Sequence, residues 1–505
     1  MADYKHGSYG EVNAVGSRAA DESVSAIVYV GTAPVHQLQL ADGESYPVNT
    51  PVVVNNIAEA RKYFGYSNDW ASYTLCEAMH VHFELKGVGP LVLINVMDPA
   101  THKGATQVTV SKTAANGKIT IPSASAVILD TLTVQTSGES PQTKVKGTDY
   151  SVSYNIDKET ITLTQLRTGG LGTGAMSIKY YTADPAAVTA DTVIGTTDGM
   201  GLNTGLYAIK DVYTLTGYIP AFLGCPGFSS DPTVHAAMKS VSLKINGHWD
   251  AWMFTDMPLT YNGSAVTLAT AFDVKTAAGY TAENEKPFFP MVQGTDGNKY
   301  HLSVLNAANF QELLLDQDGI PYRSASNTPC NIIQNLYMGE SATGRVYDDS
   351  IINEYLNKNG IASAAYSAGR WVIWGAHAGD YNQEDGDSVN VAETNRMMLY
   401  YISNDFQARR NADVDQPLTP NDIQSIAGEE QARLDALVSM GALVYGTANF
   451  NASADARADI LSGDYSFEFN ITATPLAKSL TALVNWTDDG FTTYFDSITS
   501  ATAED

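Results

Sequence analysis

The first hundred residues alternate short apolar runs with amphipathic stretches. Ala26–Gly31 (AIVYVG), Pro51–Asn55 (PVVVN) and Leu91–Met97 read as buried strands, because a strand covered on both faces shows a continuous apolar run. Ile57–Phe64 predicts a short helix and Trp70–Lys86 a longer one. On the longer helix Leu75, Ala78, Met79, His82 and Phe83 share a face, and Lys86-Gly87 is a stop signal. Strands alternating with helices predict an α/β layer. The pattern changes after Asp98-Pro99. Gln107–Val110, Lys118–Ile121, Tyr150–Tyr154, Thr160–Leu163 and Ser177–Tyr181 alternate apolar and polar positions, with polar turns and no helix between them. They predict a β-sandwich over 101–184, inserted into the α/β sequence.

The α/β pattern returns over 185–345. Asp231-Pro232 is a helix start, with a carboxylate at the N-cap and proline at the first helical position. Val234, Ala237, Met238, Val241 and Ile245 line one face of that helix, and Gly247 stops it. Trp249–Phe254 predicts the next buried strand. Over 346–475 a helix is predicted at Pro420–Met440, with Ile423, Ile426, Leu434, Leu437 and Val438 facing inward. Two alternating strands follow. The first carries Tyr465, Phe467, Phe469 and Ile471; the second carries Leu480, Ala482, Val484 and Trp486. Residues 1–22 have neither period and read as an extended arm. Residues 476–505 read as a terminal strand and arm, frayed after Asp496. The expected fold class is therefore multidomain α/β (α+β): an α/β core in segments 23–100 and 185–345, the inserted β-sandwich, a C-terminal domain and two extended arms.

Composition narrows the function. At ~150 residues per domain, 505 residues correspond to about three domains. The formal net charge is −26. That opposes direct binding of nucleic acid or insertion into an anionic membrane, since both need a basic surface. No apolar run approaches the ~18 residues of a membrane span, and residues 1–20 lack the apolar core of a signal peptide, so secretion by that route is not expected. Cys76, Cys225 and Cys330 are too scattered for a disulfide framework or a zinc site and read as core thiols.

Candidate chemistry is sparse. Gly169–Gly174 (GGLGTG) lies between two strand patterns rather than before a helix, which makes it a glycine-rich hairpin and not a dinucleotide loop. His80 and His82, two apart on a predicted helix, point to different faces and cannot chelate one ion; His82 belongs at the core edge and His80 in solvent. Glu384, Asp385 and Asp387 form a small acidic cluster without the spacing of a calcium loop. There is no G-x-S-x-G, H-E-x-x-H or Walker pattern. A structural protein without cofactor or metal is expected. The competing readings are a hydrolase on a protease-like α/β fold in 185–345 and a secreted adhesin or surface-layer protein.

Several motifs, in order along the chain, resemble the contractile tail sheath protein family of bacteriophages and phage-tail-like particles. Tyr4-Lys-His6-Gly7-Ser-Tyr9-Gly-Glu11 is similar to that family's opening H-G-x-Y-x-x-E, with Ser8 where valine is frequent. Val30–Pro34 (VGTAP), Pro51–Val54 with Glu59-Ala60 and Phe64-Gly65, Pro220–Phe228 (PAFLGCPGF) and Asp256-Met-Pro258 resemble further family segments. So do Arg410–Pro417 (RNADVDQP) and Leu434–Val444 (LDALVSMGALV).

The resemblance implies a sheath subunit that assembles with itself as hexameric rings stacked in a six-start helix around a tail tube protein, between baseplate and tail terminator proteins. Contraction would drive the tube through a target envelope. It also implies location in a virion tail or tailocin particle, with host cytoplasm as the place of assembly. By the same resemblance, Tyr4, His6, Gly7, Tyr9 and Glu11 anchor the N-terminal arm in a neighbour. Leu480, Val484, Trp486, Phe491 and Tyr494 form the C-terminal strand and arm. Asp422, Glu429, Glu430, Arg433 and Asp435 mark a tube-facing helix, and the β-sandwich faces outward.

Overall fold

A computed structural model of the chain describes residues 25–41, 43–340, 346–383, 389–451 and 456–501. They fall into two compact units, divided between Thr474 and Pro475.

The first unit is organised around a six-stranded sheet. Its order is Glu285–Phe288, Trp252–Asp256, Ile219–Gly224, Ser25–Gly31, Leu91–Asn95, Val52–Val54. All neighbours are parallel except Val52–Val54, which runs antiparallel on Leu91–Asn95. Strands from either side of the insert thus share one sheet, with Ser25–Gly31 between Ile219–Gly224 and Leu91–Asn95. The inner strands are buried at nearly every position, which is why they read as apolar runs.

The Ile57–Phe64 helix forms as expected. Asn56 caps it by accepting from the Glu59 N–H at 3.0 Å, and Gly65 leaves it at φ +71°. The Asp231 carboxylate likewise accepts from the Thr233 N–H at 2.8 Å, with Pro232 at the first helical position. That helix stops at Val241, short of the expected Ile245 and Gly247. Ile245 instead donates to the Trp249 carbonyl in a tight turn, with Lys244, Asn246 and Gly247 all at positive φ. The expected long helix at Trp70–Lys86 begins only at Thr74 and widens into π-helix over His80–Lys86. A helix not singled out in the sequence, Leu302–Leu315, is buried on almost every side against the sheet.

The insert is a β-sandwich, as predicted. One sheet has the order Val108–Thr113, Ala175–Tyr180, Thr133–Thr136, Thr143–Lys144; the other Lys118–Ile121, Thr160–Gln165, Tyr150–Asn155. Alternate residues of both, among them Ile119, Ile161, Leu163, Val134 and Ile178, share one core. Its incoming and outgoing chains are clasped side by side. The Gly104 N–H donates to the Thr182 carbonyl at 2.8 Å and the Asp184 N–H to the His102 carbonyl at 3.0 Å. The glycine-rich loop is a corner between the two sheets rather than a hairpin, since Thr160–Gln165 and Ala175–Tyr180 lie in different sheets. A Cβ on Gly170 would sit 2.2 Å from the Asp149 carbonyl oxygen, so close backbone approach accounts for that glycine.

The C-terminal part of the unit packs two long helices, Glu393–Arg410 and Pro420–Ser439, against the hairpin Leu443–Phe450/Phe467–Ala473. Met398, Leu434, Leu437, Leu443 and Ala448 make its small core. Thr419 and Asp422 form a reciprocal capping box at the start of the second helix.

The second unit is an extended stretch from Pro475 to about Trp486 followed by the helix Gly490–Ala501. The strand expected over Leu480–Trp486 is not formed. A strand needs a ladder partner, and among the described residues none is paired with it. The frayed tail expected after Asp496 is instead helical up to Ala501.

Candidate assembly surfaces

The C-terminal unit carries exposed apolar side chains. Leu480 and Val484 are 91 % exposed and Trp486 81 %. Phe491 and Tyr494, expected on a strand-like arm, lie on the Gly490–Ala501 helix, where an i, i+3, i+4 spacing brings Phe491, Tyr494 and Phe495 together. Ile498 extends the same half-exposed surface. Sequence reasoning missed Leu483, Phe495 and Ile498, because alternation favoured every second residue of a strand.

In the first unit, Leu443–Phe450 and Phe467–Ala473 form a two-stranded hairpin. Its strands pair from Leu443↔Ala473 to Phe450↔Phe467. Among the described residues neither outer edge carries a further strand, but Gln431 covers the Leu443–Phe450 edge, donating to the Gly446 carbonyl at 3.1 Å and accepting from the Ala448 N–H at 2.9 Å, which leaves Phe467–Ala473 as the open edge. One face packs on the two helices through Phe406, Phe467 and Phe469, while Val444 and Tyr445 stay more than half exposed. An open edge of this kind is a template for an added strand.

The charges singled out on the Pro420–Ser439 helix divide into two sets. Glu430 is 2 % exposed and points inward, where it accepts from Arg409 Nη1 and Nη2 at 2.7 and 2.6 Å and from Arg410 Nε and Nη2 at 2.9 and 2.6 Å. Asp405 takes Arg409 Nε at 2.9 Å and Arg433 Nη2 at 2.5 Å. Burial alone would raise the Glu430 pKa; hydrogen bonds and charge from Arg409 and Arg410 more than offset this and hold it below the usual value. Glu430 and Arg433 therefore clamp one helix to the other. Asp422, Glu429 and Asp435 remain on the outside: Asp422 caps the helix, Glu429 reaches Arg410 at 2.8 Å and Asp435 accepts from Gln431. Tyr4, His6, Gly7, Tyr9 and Glu11, and Glu384, Asp385 and Asp387, lie outside the described residues.

The motif segments of the core occupy structural positions. Asp256 ends its strand and accepts from the backbone and hydroxyl of Ser303. Two histidines of the core have opposite chemistry. His301 faces Glu77, with its N–H and Nδ1 both 2.6 Å from the carboxylate; burial would lower its pKa, but Glu77 and Asp256 raise it to about 9. His82 is fully buried rather than at the core edge, between Tyr29 and Gln311, and burial lowers its pKa to about 4. His80 is not free in solvent but packs on Trp70 and Tyr300 and pairs with Glu84 at 2.6 Å. All three thiols are buried, and burial raises Cys76 and Cys330 to about 12. Among the described residues, no three His, Cys, Asp or Glu side chains are grouped to hold a metal ion, and no helix is long and apolar enough to cross a membrane.

This fold is that of contractile-sheath subunits. The chain superposes with a TM-score of 0.53 on a chain of the baseplate of the anti-feeding prophage, covering 96% of this chain and 99% of that one at 14% identity. It superposes at 0.52 on the helical sheath of the anti-feeding prophage in its contracted state, with 96% and 99% covered at 13% identity. For the contracted sheath complex of the extracellular contractile injection system PVC the TM-score is 0.51, with 97% and 99% covered at 12% identity. In sequence, the chain is 27% identical to the tail sheath protein of Burkholderia phage BcepMu over 95% of this chain and 96% of that protein. It is 22% identical to the major tail sheath protein of Serratia phage KSP20 over 63% of this chain and 77% of that one. No protein-family model matches. The resemblance to contractile tail sheath proteins drawn from scattered motifs thus holds along nearly the whole chain.

Proposed function

We propose that this chain is a tail sheath subunit. It polymerises as hexameric rings stacked in a six-start helix around a tail tube protein, abuts baseplate and terminator proteins at the ends, and contracts to drive the tube through a target envelope. The observation that carries the assembly mode is the pairing of two incomplete parts in one sequence. Leu480–Trp486 has strand alternation, exposed side chains and no ladder. The Leu443–Phe450/Phe467–Ala473 hairpin has one open edge, along Phe467–Ala473. A strand donated by one copy to the hairpin of another satisfies both. At ~1 kcal/mol net per hydrogen bond, about five bonds contribute roughly 5 kcal/mol before ordering costs. Main-chain bonds of this kind tolerate rotation between subunits, so rings can turn and stay linked.

The N-terminal arm, through Tyr4, His6, Gly7, Tyr9 and Glu11, anchors in a second neighbour. The outer acids Asp422, Glu429 and Asp435 of the Pro420–Ser439 helix face the tube, and the β-sandwich faces outward, dispensable for contraction. Negative-stain electron microscopy of the chain purified alone tests the reading: hollow, helically striated tubes are expected. Deleting residues 476–505 is expected to leave folded subunits that form none. Tubes that assemble and stay continuous without that segment would overturn the donated-strand mechanism.

A further inference from the structure

Lys286, Asn306 and Glu393 meet in the interior, each at most 1 % exposed. Lys286 belongs to the edge strand Glu285–Phe288, Asn306 to the buried helix Leu302–Leu315, and Glu393 opens the helix Glu393–Arg410. Lys286 Nζ donates to Glu393 Oε1 at 2.9 Å and to Asn306 Oδ1 at 3.2 Å. Ser324 Oγ donates to the same glutamate oxygen. Two atoms of the cluster have no partner: Asn306 Nδ2 and Glu393 Oε2. A buried ion pair accounts for the lysine and the glutamate. It does not account for a buried primary amide held against the amine with its own nitrogen unsatisfied, an arrangement that native interiors avoid.

We propose that Lys286 and Asn306 become joined by an intramolecular isopeptide bond, with Glu393 relaying the protons. Glu393 takes a proton from Lys286 Nζ, leaving a neutral amine. The amine lone pair attacks Asn306 Cγ while the carboxylic acid donates to Oδ1, where charge gathers. Glu393 next accepts a proton from the attacking nitrogen and passes it to Nδ2. The Cγ–Nδ2 bond breaks, and as the carbonyl re-forms the Oδ1 proton passes through Glu393 to the departing ammonia, which leaves as ammonium. The sum is a lysine ammonium and a primary amide giving a secondary amide and ammonium, with Glu393 restored and no change of oxidation state. With a C=O bond of about 1.23 Å, the 3.2 Å contact puts Nζ roughly 3.4–4.4 Å from Cγ, so a small turn of the lysine tip reaches attack distance. Desolvation favours the neutral amine: burial pushes Lys286 below the ordinary lysine range, against the pull of Glu393. The bond ties the edge strand of the six-stranded sheet to the helix beneath it, and its chemistry is independent of the assembly reading.

The test is the mass of the purified full chain under denaturing conditions, followed by protease mapping. The expected result is a loss of roughly 17 Da, one ammonia, from the sequence mass, together with a branched peptide joining Lys286 to Asn306. Glu393→Gln should restore the sequence mass and abolish the branched peptide. Linear Lys286 and Asn306 peptides in the unaltered chain at full sequence mass overturn the proposal, whether or not the variant folds. So does an ammonia loss that maps to a succinimide at one of the Asn-Gly pairs, such as Asn116 or Asn262.

Discussion

Replacing Glu430 by alanine probes how the two long C-terminal helices are held together. Its carboxylate receives four hydrogen bonds from Arg409 and Arg410 and is almost fully enclosed. Removing one partner of a buried pair typically costs ~3–5 kcal/mol, because the other charge is stranded. Here the guanidinium groups are about a fifth exposed and keep other partners: Asp405 for Arg409, Glu429 and Asp413 for Arg410. We discount the cost to about 2–3 kcal/mol for that reason. In hydrogen exchange this corresponds to roughly 30- to 150-fold faster exchange of the amides of Ile426, Leu434 and Leu437. Glu429→Ala is the control. Its side chain is 59% exposed and its pair with Arg410 is worth at most ~1 kcal/mol, so exchange should rise less than about fivefold. The pH dependence has a fixed sign. A glutamate held below its usual pKa in the folded chain stabilises above the unfolded value of ~4.3, and that stabilisation is lost as pH falls through the lower folded value. Equal protection in the Glu430 and Glu429 variants would refute the view that Glu430 is the clamp.

Three other outcomes are expected. Trp486→Ala should leave the melting temperature of isolated subunits unchanged, within about 0.5 kcal/mol, because the indole is 81 % exposed, yet abolish or shorten tubes seen by electron microscopy. His301, raised to about 9, contributes stability fully below its unfolded value of ~6.5 and loses it as pH rises through about 9. His301→Gln should therefore flatten the fall in melting temperature across that window, and an unchanged slope would reject the assignment. Gly195→Ala should destabilise strongly, by about 3 kcal/mol or more in urea unfolding, since the residue sits at φ +65° and its new Cβ would lie 2.0 Å from the Thr204 carbonyl oxygen.

The central sheet was legible because its strands are buried on both faces and spell out AIVYVG or LVLIN without interruption. The sandwich was legible because one face of each strand is wet, although Thr133–Thr136 and Thr143–Lys144 carry too little apolar sequence to register. The Glu393–Arg410 helix escaped because its inward face is half polar. Asn404 bonds the backbone of Asp250 in both directions, Glu393 holds Lys286, and Asp405 holds two arginines, so no hydrophobic period marks it. Leu302–Leu315 escaped for the opposite reason: buried all round, it has no stripe, and Asn306, Asn309 and Gln311 break its apolar run. The C-terminal alternation predicts a strand that the chain does not form, because an apolar–polar alternation specifies a strand only where a partner backbone exists.

The clasp at the base of the β-sandwich has a practical consequence. Where the chain leaves the core and where it returns, two backbones run side by side under mutual hydrogen bonds from His102–Gly104 to Thr182–Asp184. The core therefore meets the intervening eighty residues first as a pair of ends about 5 Å apart, the spacing of neighbouring antiparallel strands, and beyond these through a few side contacts: His36 Nε2 lies 2.7 Å from the Ser125 carbonyl, Gln39 donates to the Val152 carbonyl at 2.8 Å and the Tyr46 hydroxyl donates to Asp130 at 2.6 Å. Any foreign module with adjacent termini, whether a fluorescent reporter, an affinity domain or a two-residue turn, meets the same geometric requirement. The base of the insert is thus a splice site at which cargo can be carried without redesigning the sheet that spans the junction, provided His36 and Gln37, buried against the Ser125 carbonyl, are given new partners or replaced.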